Sequence, residues 1–121
     1  MPKVLISDKL SLNAVDIFEA HGVEADVKTG LSLEELQAII GLYDGLAIRS
    51  ATKVTDAVLA VATNLKVVGR AGIGVDNVDI VAATKRGVVV MNTPHGNAVT
   101  TAEHAMAMIM SLARQIPEAS Q

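Results

Sequence analysis

The chain has 121 residues, half of them hydrophobic and 19% charged, which is ample for one folded domain and too short for a two-domain enzyme. One Phe, one Tyr, no Trp and a net charge of −3 leave neither stacking platforms nor a basic surface, so nucleic acid is excluded as a partner. The absence of Cys rules out disulfides and thiolate zinc sites and is compatible with a reducing compartment.

The chain opens on Met1-Pro2-Lys3 and runs at once into an apolar stretch, Lys3 to Ser7, read as the first strand. No secretion signal precedes it, so a cytoplasmic location is expected. Ser11 then stands before Leu12, Val15 and Phe18, the spacing of a first helix stopped by Gly22. Val23 to Lys28 alternates apolar and charged residues, which predicts an edge strand with Val23, Ala25 and Val27 inward. Ser32 and Glu35 have capping-box spacing at the head of a second helix that Gly41 is expected to end.

Gly45 to Arg49 reads as a third strand, followed by a helix that Thr55 caps before Val58 and Leu59. Lys66 to Gly69 is the fourth strand, Asn77 is expected to start the next helix, Gly87 to stop it, and Val88 to Met91 is the fifth strand. Short unalternated strands separated by helices predict a parallel sheet covered on both faces. The economical layout is a flavodoxin-like, doubly wound α/β sheet of order 2-1-3-4-5. Asn92 to Asn97 is turn-rich, and Val99 to Ile116 reads as one long helix with apolar residues nearly all round, a pattern that expects a partner. Its apolar window, Ala105 to Ala113, is far short of the ~20 residues that cross a bilayer, so no membrane association is expected. The sequence stops at Gln121 soon after Pro117 with no stop signal, which predicts a piece of a longer protein.

Ligands of parallel sheets sit beyond the carboxyl ends of the strands. Arg49 and Arg70 each stand where an apolar strand ends, on neighbouring strands of the expected layout. Two guanidiniums facing one cleft would be bridged by a carboxylate or phosphate, with Ser50 adding a hydroxyl and Gly72 and Gly74 giving close backbone approach. The alternative is that each Arg snorkels to solvent or pairs with Asp44, Asp76 or Asp79. Gly72-Ile73-Gly74-Val75-Asp76-Asn77 imitates a dinucleotide fingerprint and misses it twice: Asn77 replaces the third glycine, and the next strand ends in Met91-Asn92 without a ribose-binding acid. A phosphoacceptor site would need an Asp where Arg49-Ser50 stands. His21, His95 and His104 have no metal-ligand spacing, Glu103 and His104 are adjacent and make no dyad, and Met106, Met108 and Met110 read as adaptable interface packing.

The runs Arg49-Ser50-Ala51-Thr52-Lys53-Val54-Thr55, Val67 through Asp79, and Val90 through Asn97 resemble the D-2-hydroxyacid dehydrogenase family, in particular its phosphoglycerate-oxidising branch. The resemblance spans essentially the whole chain and is densest from 45 to 116. It implies a substrate-binding domain over 1–98 and an interdomain helix over 99–121 that leads toward an NAD-binding domain. It further implies that Arg49, Ser50, Arg70, Gly72, Ile73 and Gly74 bind the substrate's carboxylate or phosphate. By the same resemblance Ile73, a departure where many relatives carry a Thr that contacts the nicotinamide side, and Asn97, near the hinge and active site, are implied to be the cofactor-binding residues.

The family's catalytic Arg, Glu and His are implied beyond residue 121, so His95 and His104 are not the base. The implied activity is NAD-dependent oxidation of 3-phosphoglycerate to 3-phosphohydroxypyruvate in serine biosynthesis, by a homo-oligomeric enzyme of which this part alone is inert. The siblings to weigh are glyoxylate or hydroxypyruvate reductases. From another class, the abrupt end and the Met-rich helix allow a non-catalytic anion-binding or assembly module.

Overall fold

The computed structural model describes residues 2–9, 14–49, 51–71, 77–93 and 98–113. Five parallel strands, β1 (Lys3–Ile6), β2 (Glu24–Val27), β3 (Gly45–Ile48), β4 (Val67–Ala71) and β5 (Val89–Thr93), form one sheet in the order 2-1-3-4-5. Among the described residues five α-helices connect and cover them: α1 (Ala14–Ala20), α2 (Leu33–Ile39), α3 (Asp56–Val61), α4 (Ile80–Lys85) and α5 (Ala98–Ala113). The expected α/β layout is therefore the observed one.

Strand residues of successive positions enter opposite cores, which is why the strands read as unalternated. Leu5, Leu46, Ile48 and Val68 pack with Leu36, Val58 and Ala83 of α2, α3 and α4. Val4, Ile6, Ala47 and Val67 pack with Phe18 of α1 and with Met106, Ala107 and Met110 of α5. Met106 and Met110 are thus core residues covering the sheet, not interface packing, and only Met108 of the three, at 53% exposure, remains on the surface.

Local chemistry sets the helix ends. Ser32 and Glu35 close the expected capping box, Ser32 N donating to Glu35 Oε1 at 2.9 Å and Glu35 N to Ser32 Oγ at 3.2 Å. Thr55 caps α3 as expected, and Gly22 and Gly87 stop α1 and α4 with φ of 76° and 74°. Three expectations need correction. Gly41 is no left-handed stop: it lies inside a 3-10 turn, Ile40–Leu42, that continues α2, and its Cα backs onto the Val61 carbonyl. The cap of α4 is Asp79, whose Oδ1 accepts from Ala82 N at 2.9 Å, because Asn77 is buried and engaged elsewhere.

The third concerns β2, which is an edge strand with Val23 buried, but Val27 is 54% exposed and Asp26 is half-buried. Asp26 turns inward because it accepts a hydrogen bond from the Tyr43 hydroxyl at 2.8 Å. The expected cap Ser11 and the residues after Ala113 lie outside the described residues. No described helix is long and apolar enough to cross a membrane.

Candidate functional site at the carboxyl rim of the sheet

Register places the two arginine segments side by side. Ile48 of β3 pairs with Arg70 of β4, so Arg49 is the first residue beyond that pair, and Arg70 pairs in turn with Asn92 of β5. Both β4 and β5 run further than the apolar pattern suggested, which puts Arg70 and Asn92 inside strands.

The two guanidiniums live in different surroundings. Arg70 is 5% exposed; its Nε donates to Asn77 Oδ1 and its Nη1 to Asn92 Oδ1 at 3.2 Å. It therefore does not snorkel. Two of the carboxylates considered for it are engaged elsewhere: Asp44 pairs with Lys66 at 3.4 Å, and Asp79 caps α4. Arg49 is exposed at the rim. What joins the two segments is Asn77, whose Nδ2 donates to the Arg49 carbonyl at 2.7 Å and to the Thr52 carbonyl at 2.8 Å. Two carbonyls around Nδ2 and an N–H at Oδ1 fix the amide's orientation, since the flipped amide would set donor against donor.

The other side of the same loop is held by Asp8, which is 6% exposed. Its Oδ2 accepts from Arg49 N at 2.8 Å and Thr52 N at 2.9 Å, and its Oδ1 accepts from Thr52 Oγ1 at 2.7 Å. A buried carboxylate with three donors is satisfied where it stands. Asp8 thus takes the loop's N–H groups and Asn77 takes its carbonyls, so the backbone that presents Arg49 is clamped from both sides. A short backbone ladder reinforces it, with Val54 N on the Asn77 carbonyl at 2.7 Å and Asp79 N on the Val54 carbonyl at 2.8 Å.

Asp8, Thr52 and Asn77 were not among the expected site residues. Each carried a signal by position: Asp8 and Thr52 lie just past strand ends, and Asn77 stands where a dinucleotide fingerprint has its third glycine. Ser50, Gly72, Ile73, Gly74 and Asn97, with His95 and Asp76, lie outside the described residues. His104 meets His21 edge to face at 6.0 Å between ring centres, joining α5 to the end of α1 on the sheet's other side. No cluster of His, Asp or Glu fit to hold a metal occurs among the described residues.

The rim could receive an anion: Asp8 and Asn77 fix the backbone at Arg49, and its exposed guanidinium has the fork geometry that matches a carboxylate or phosphate. The described residues fit a dinucleotide poorly. Asn77, standing where a third glycine would open a helix, is committed to Arg70 and to two carbonyls, and the helix begins only at Ile80. Asn92, standing where an acid would take a ribose hydroxyl, accepts from Arg70.

Comparison with known proteins adds to this geometry. The family model described as D-isomer specific 2-hydroxyacid dehydrogenase, catalytic domain, matches residues 4–118. The chain is 50% identical over 119 residues to a D-3-phosphoglycerate dehydrogenase of Archaeoglobus fulgidus, covering 98% of this chain and 23% of that protein. It is 53% identical over 118 residues to the D-3-phosphoglycerate dehydrogenase of Homo sapiens, covering 98% of this chain and 22% of that protein. Among solved structures, the cofactor (NAD+) bound 3-phosphoglycerate dehydrogenase of Entamoeba histolytica superposes with a TM-score of 0.69 at 30% identity, over 77% of this chain and 33% of that one. The chain therefore spans less than a quarter of the length of these curated relatives.

Proposed function

The chain belongs to the D-isomer specific 2-hydroxyacid dehydrogenase family, and on that premise we propose that it is the substrate-binding part of an NAD-dependent D-3-phosphoglycerate dehydrogenase. The observation that carries the reading is the rim itself: Arg49 exposed on a loop that Asp8 and Asn77 clamp, one strand from Arg70. A 3-phosphoglycerate molecule has a carboxylate and a phosphate, and a guanidinium on a fixed backbone suits either.

Oxidation of its hydroxyl to a ketone requires loss of the hydroxyl proton and of a hydride from the same carbon. NAD supplies the hydride acceptor, and in this reading the dinucleotide is held mainly, and the proton accepted, by parts of the protein outside this chain, which spans less than a quarter of its relatives' length. This chain's part is to bind and orient the acid, with residues 1–98 as the substrate unit and 99–121 leading to the nucleotide-binding unit. Ser50, Gly72, Ile73 and Gly74 complete the substrate loop, and Ile73 and Asn97 border the nicotinamide. The whole enzyme is a cytoplasmic homo-oligomer in serine biosynthesis, and this part alone is inert.

Arg49→Ala in the whole protein tests the reading better than Arg70→Ala, which would also strip Asn77 of its partner and confuse binding with folding. The expected result is a KM for 3-phosphoglycerate raised about ten- to a hundredfold, the loss of one charge-assisted pair, with NAD affinity nearly unchanged. Equal loss of both affinities, or no change in either, overturns it. Faster turnover of glyoxylate or hydroxypyruvate than of the phosphorylated pair would move the assignment to a sibling reductase.

A further inference from the structure

The winding of the sheet reverses between β1 and β3, since β2 lies to one side of β1 and the later strands to the other. Crevices beyond the carboxyl ends of strands at such a reversal are favoured ligand positions in open α/β sheets. The arginine rim sits one strand further on, between β3 and β4. At the reversal itself is an open cavity of about 270 Å³, whose lining includes Ser7, Leu31, Ser32, Leu36, Lys53 and Thr55. That volume is near the lower end of ligand cavities and suits a small organic molecule.

Counting hydrogens shows what the cavity offers. Thr52 gives its only hydroxyl hydrogen to Asp8 Oδ1, so in its 2.8 Å contact with Ser7 the serine is the donor, and neither hydroxyl has a hydrogen left. Ser32 Oγ and Thr55 Oγ1 accept from Glu35 N at 3.2 Å and Val58 N at 3.4 Å, so each retains a hydrogen to donate. Lys53 is exposed and forms no ion pair with a described carboxylate. Among the described residues the side-chain donors left at the mouth are two hydroxyls and one ammonium, over an apolar wall of Leu31 and Leu36. A donor-rich mouth above an apolar wall is complementary to an anion with a short hydrocarbon tail.

We infer that the cavity between the carboxyl ends of β1 and β3 binds a short-chain monocarboxylate, its head on Lys53, Ser32 and Thr55 and its tail on the two leucines. The site is joined to the arginine rim by Thr52, which lines the cavity and is held by both Asp8 and Asn77. An occupant therefore bears on the loop that presents Arg49, and a ligand at Arg49 bears equally on the occupant.

Nuclear magnetic resonance titration of the isotopically labelled whole protein with butyrate, hexanoate and inorganic phosphate tests this. The expected result is saturable shifts at Leu31, Lys53 and Thr55 that extend to the Arg49 and Thr52 amides, with a dissociation constant on the order of a millimolar for hexanoate. Hexanoate should bind about tenfold tighter than butyrate, since two further methylenes reach the wall. Lys53→Gln, at an exposed position, should weaken hexanoate about tenfold, and Ala51→Phe should fill the cavity and abolish binding. Phosphate binding as well as hexanoate would reduce the site to bare charge attraction and overturn the inference. Indifference to both substitutions, or no saturable shift with hexanoate, would overturn it as well.

Discussion

Asn77 works through both halves of one amide: the carbonyl oxygen takes Arg70 Nε, and the nitrogen supports the Arg49 and Thr52 carbonyls. The residue is 7% exposed, so whatever replaces it leaves buried groups to be satisfied. Asn77→Ala orphans one guanidinium donor and two carbonyls, and is expected to cost about 2–4 kcal/mol in chemical denaturation. Asn77→Asp keeps the acceptor for Arg70 but sets a carboxylate against two carbonyl oxygens. It should recover part of the stability while still releasing the loop, seen as faster hydrogen exchange at the Arg49 and Thr52 amides than in the parent. Exchange unchanged in both variants would mean that Asp8 alone holds the loop. Because Asp8 and Asn77 grip the same two residues, Arg49 and Thr52, Asp8→Ala combined with Asn77→Ala should cost less than the sum of the two, measured as a double-mutant cycle.

At the scale of elements, α5 reaches the sheet because two strand positions have no side chain in its way. A Cβ on Gly69 would stand 2.7 Å from Met106 Sδ, and one on Gly45 would stand 2.6 Å from Met110 Sδ. Met106, at 1% exposure, fills that trough, so Met106→Ala is expected to cost about 2–5 kcal/mol. Gly69→Ala should be destabilising on its own, since the methionine must move. In the Met106→Ala background its sign should reverse, because the cavity accepts the methyl and Ala is stiffer than Gly in the unfolded chain. Thermal unfolding of the four proteins decides this, and a Gly69→Ala effect of equal size in both backgrounds would refute the trough.

This trough also explains why α5 was hard to read from sequence. Apolar residues nearly all round a helix announce burial without saying by what, and two glycines in separate strands give no sign that they share a groove. The caps show the same division. Ser32 and Thr55 were legible because capping is settled within four residues of chain. Asn77 and Asp79 both suit a cap, and only the long-range demand of Arg70 for Asn77 decides that Asp79 takes the role.

Across the whole molecule the two ends of the sheet do different work. The carboxyl rim holds its loop with one carboxylate and one neutral amide, and Arg49 is exposed there. The amino side is tied by charges: Lys3 to Glu24 at 3.3 Å, Lys66 to Asp44 at 3.4 Å, and the Lys3 backbone N–H to Asp44 at 2.9 Å. Tyr43 binds this side to the edge strand, because its hydroxyl donates to Asp26 on β2. Burial, the hydrogen bond to Asp26 and the nearby negative charges of Asp26 and Glu24 together push the Tyr43 phenol up to about 12. The folded state therefore holds the phenolic proton more tightly than the unfolded chain, whose tyrosine titrates near 10. The stability that this contributes is fully present below about pH 10 and is lost as pH rises through about 12. The chain has one Tyr and no Trp, so ultraviolet titration of the phenolate reports this group alone. Its midpoint should fall to near 10 when the chain is unfolded in denaturant. Tyr43→Phe should lower stability at neutral pH by about 1–3 kcal/mol and remove the component of alkaline destabilisation that falls between pH 10 and 12. If the phenolate appeared at the same pH in folded and denatured chains, the bond to Asp26 would add nothing to the β1 ladder that holds β2.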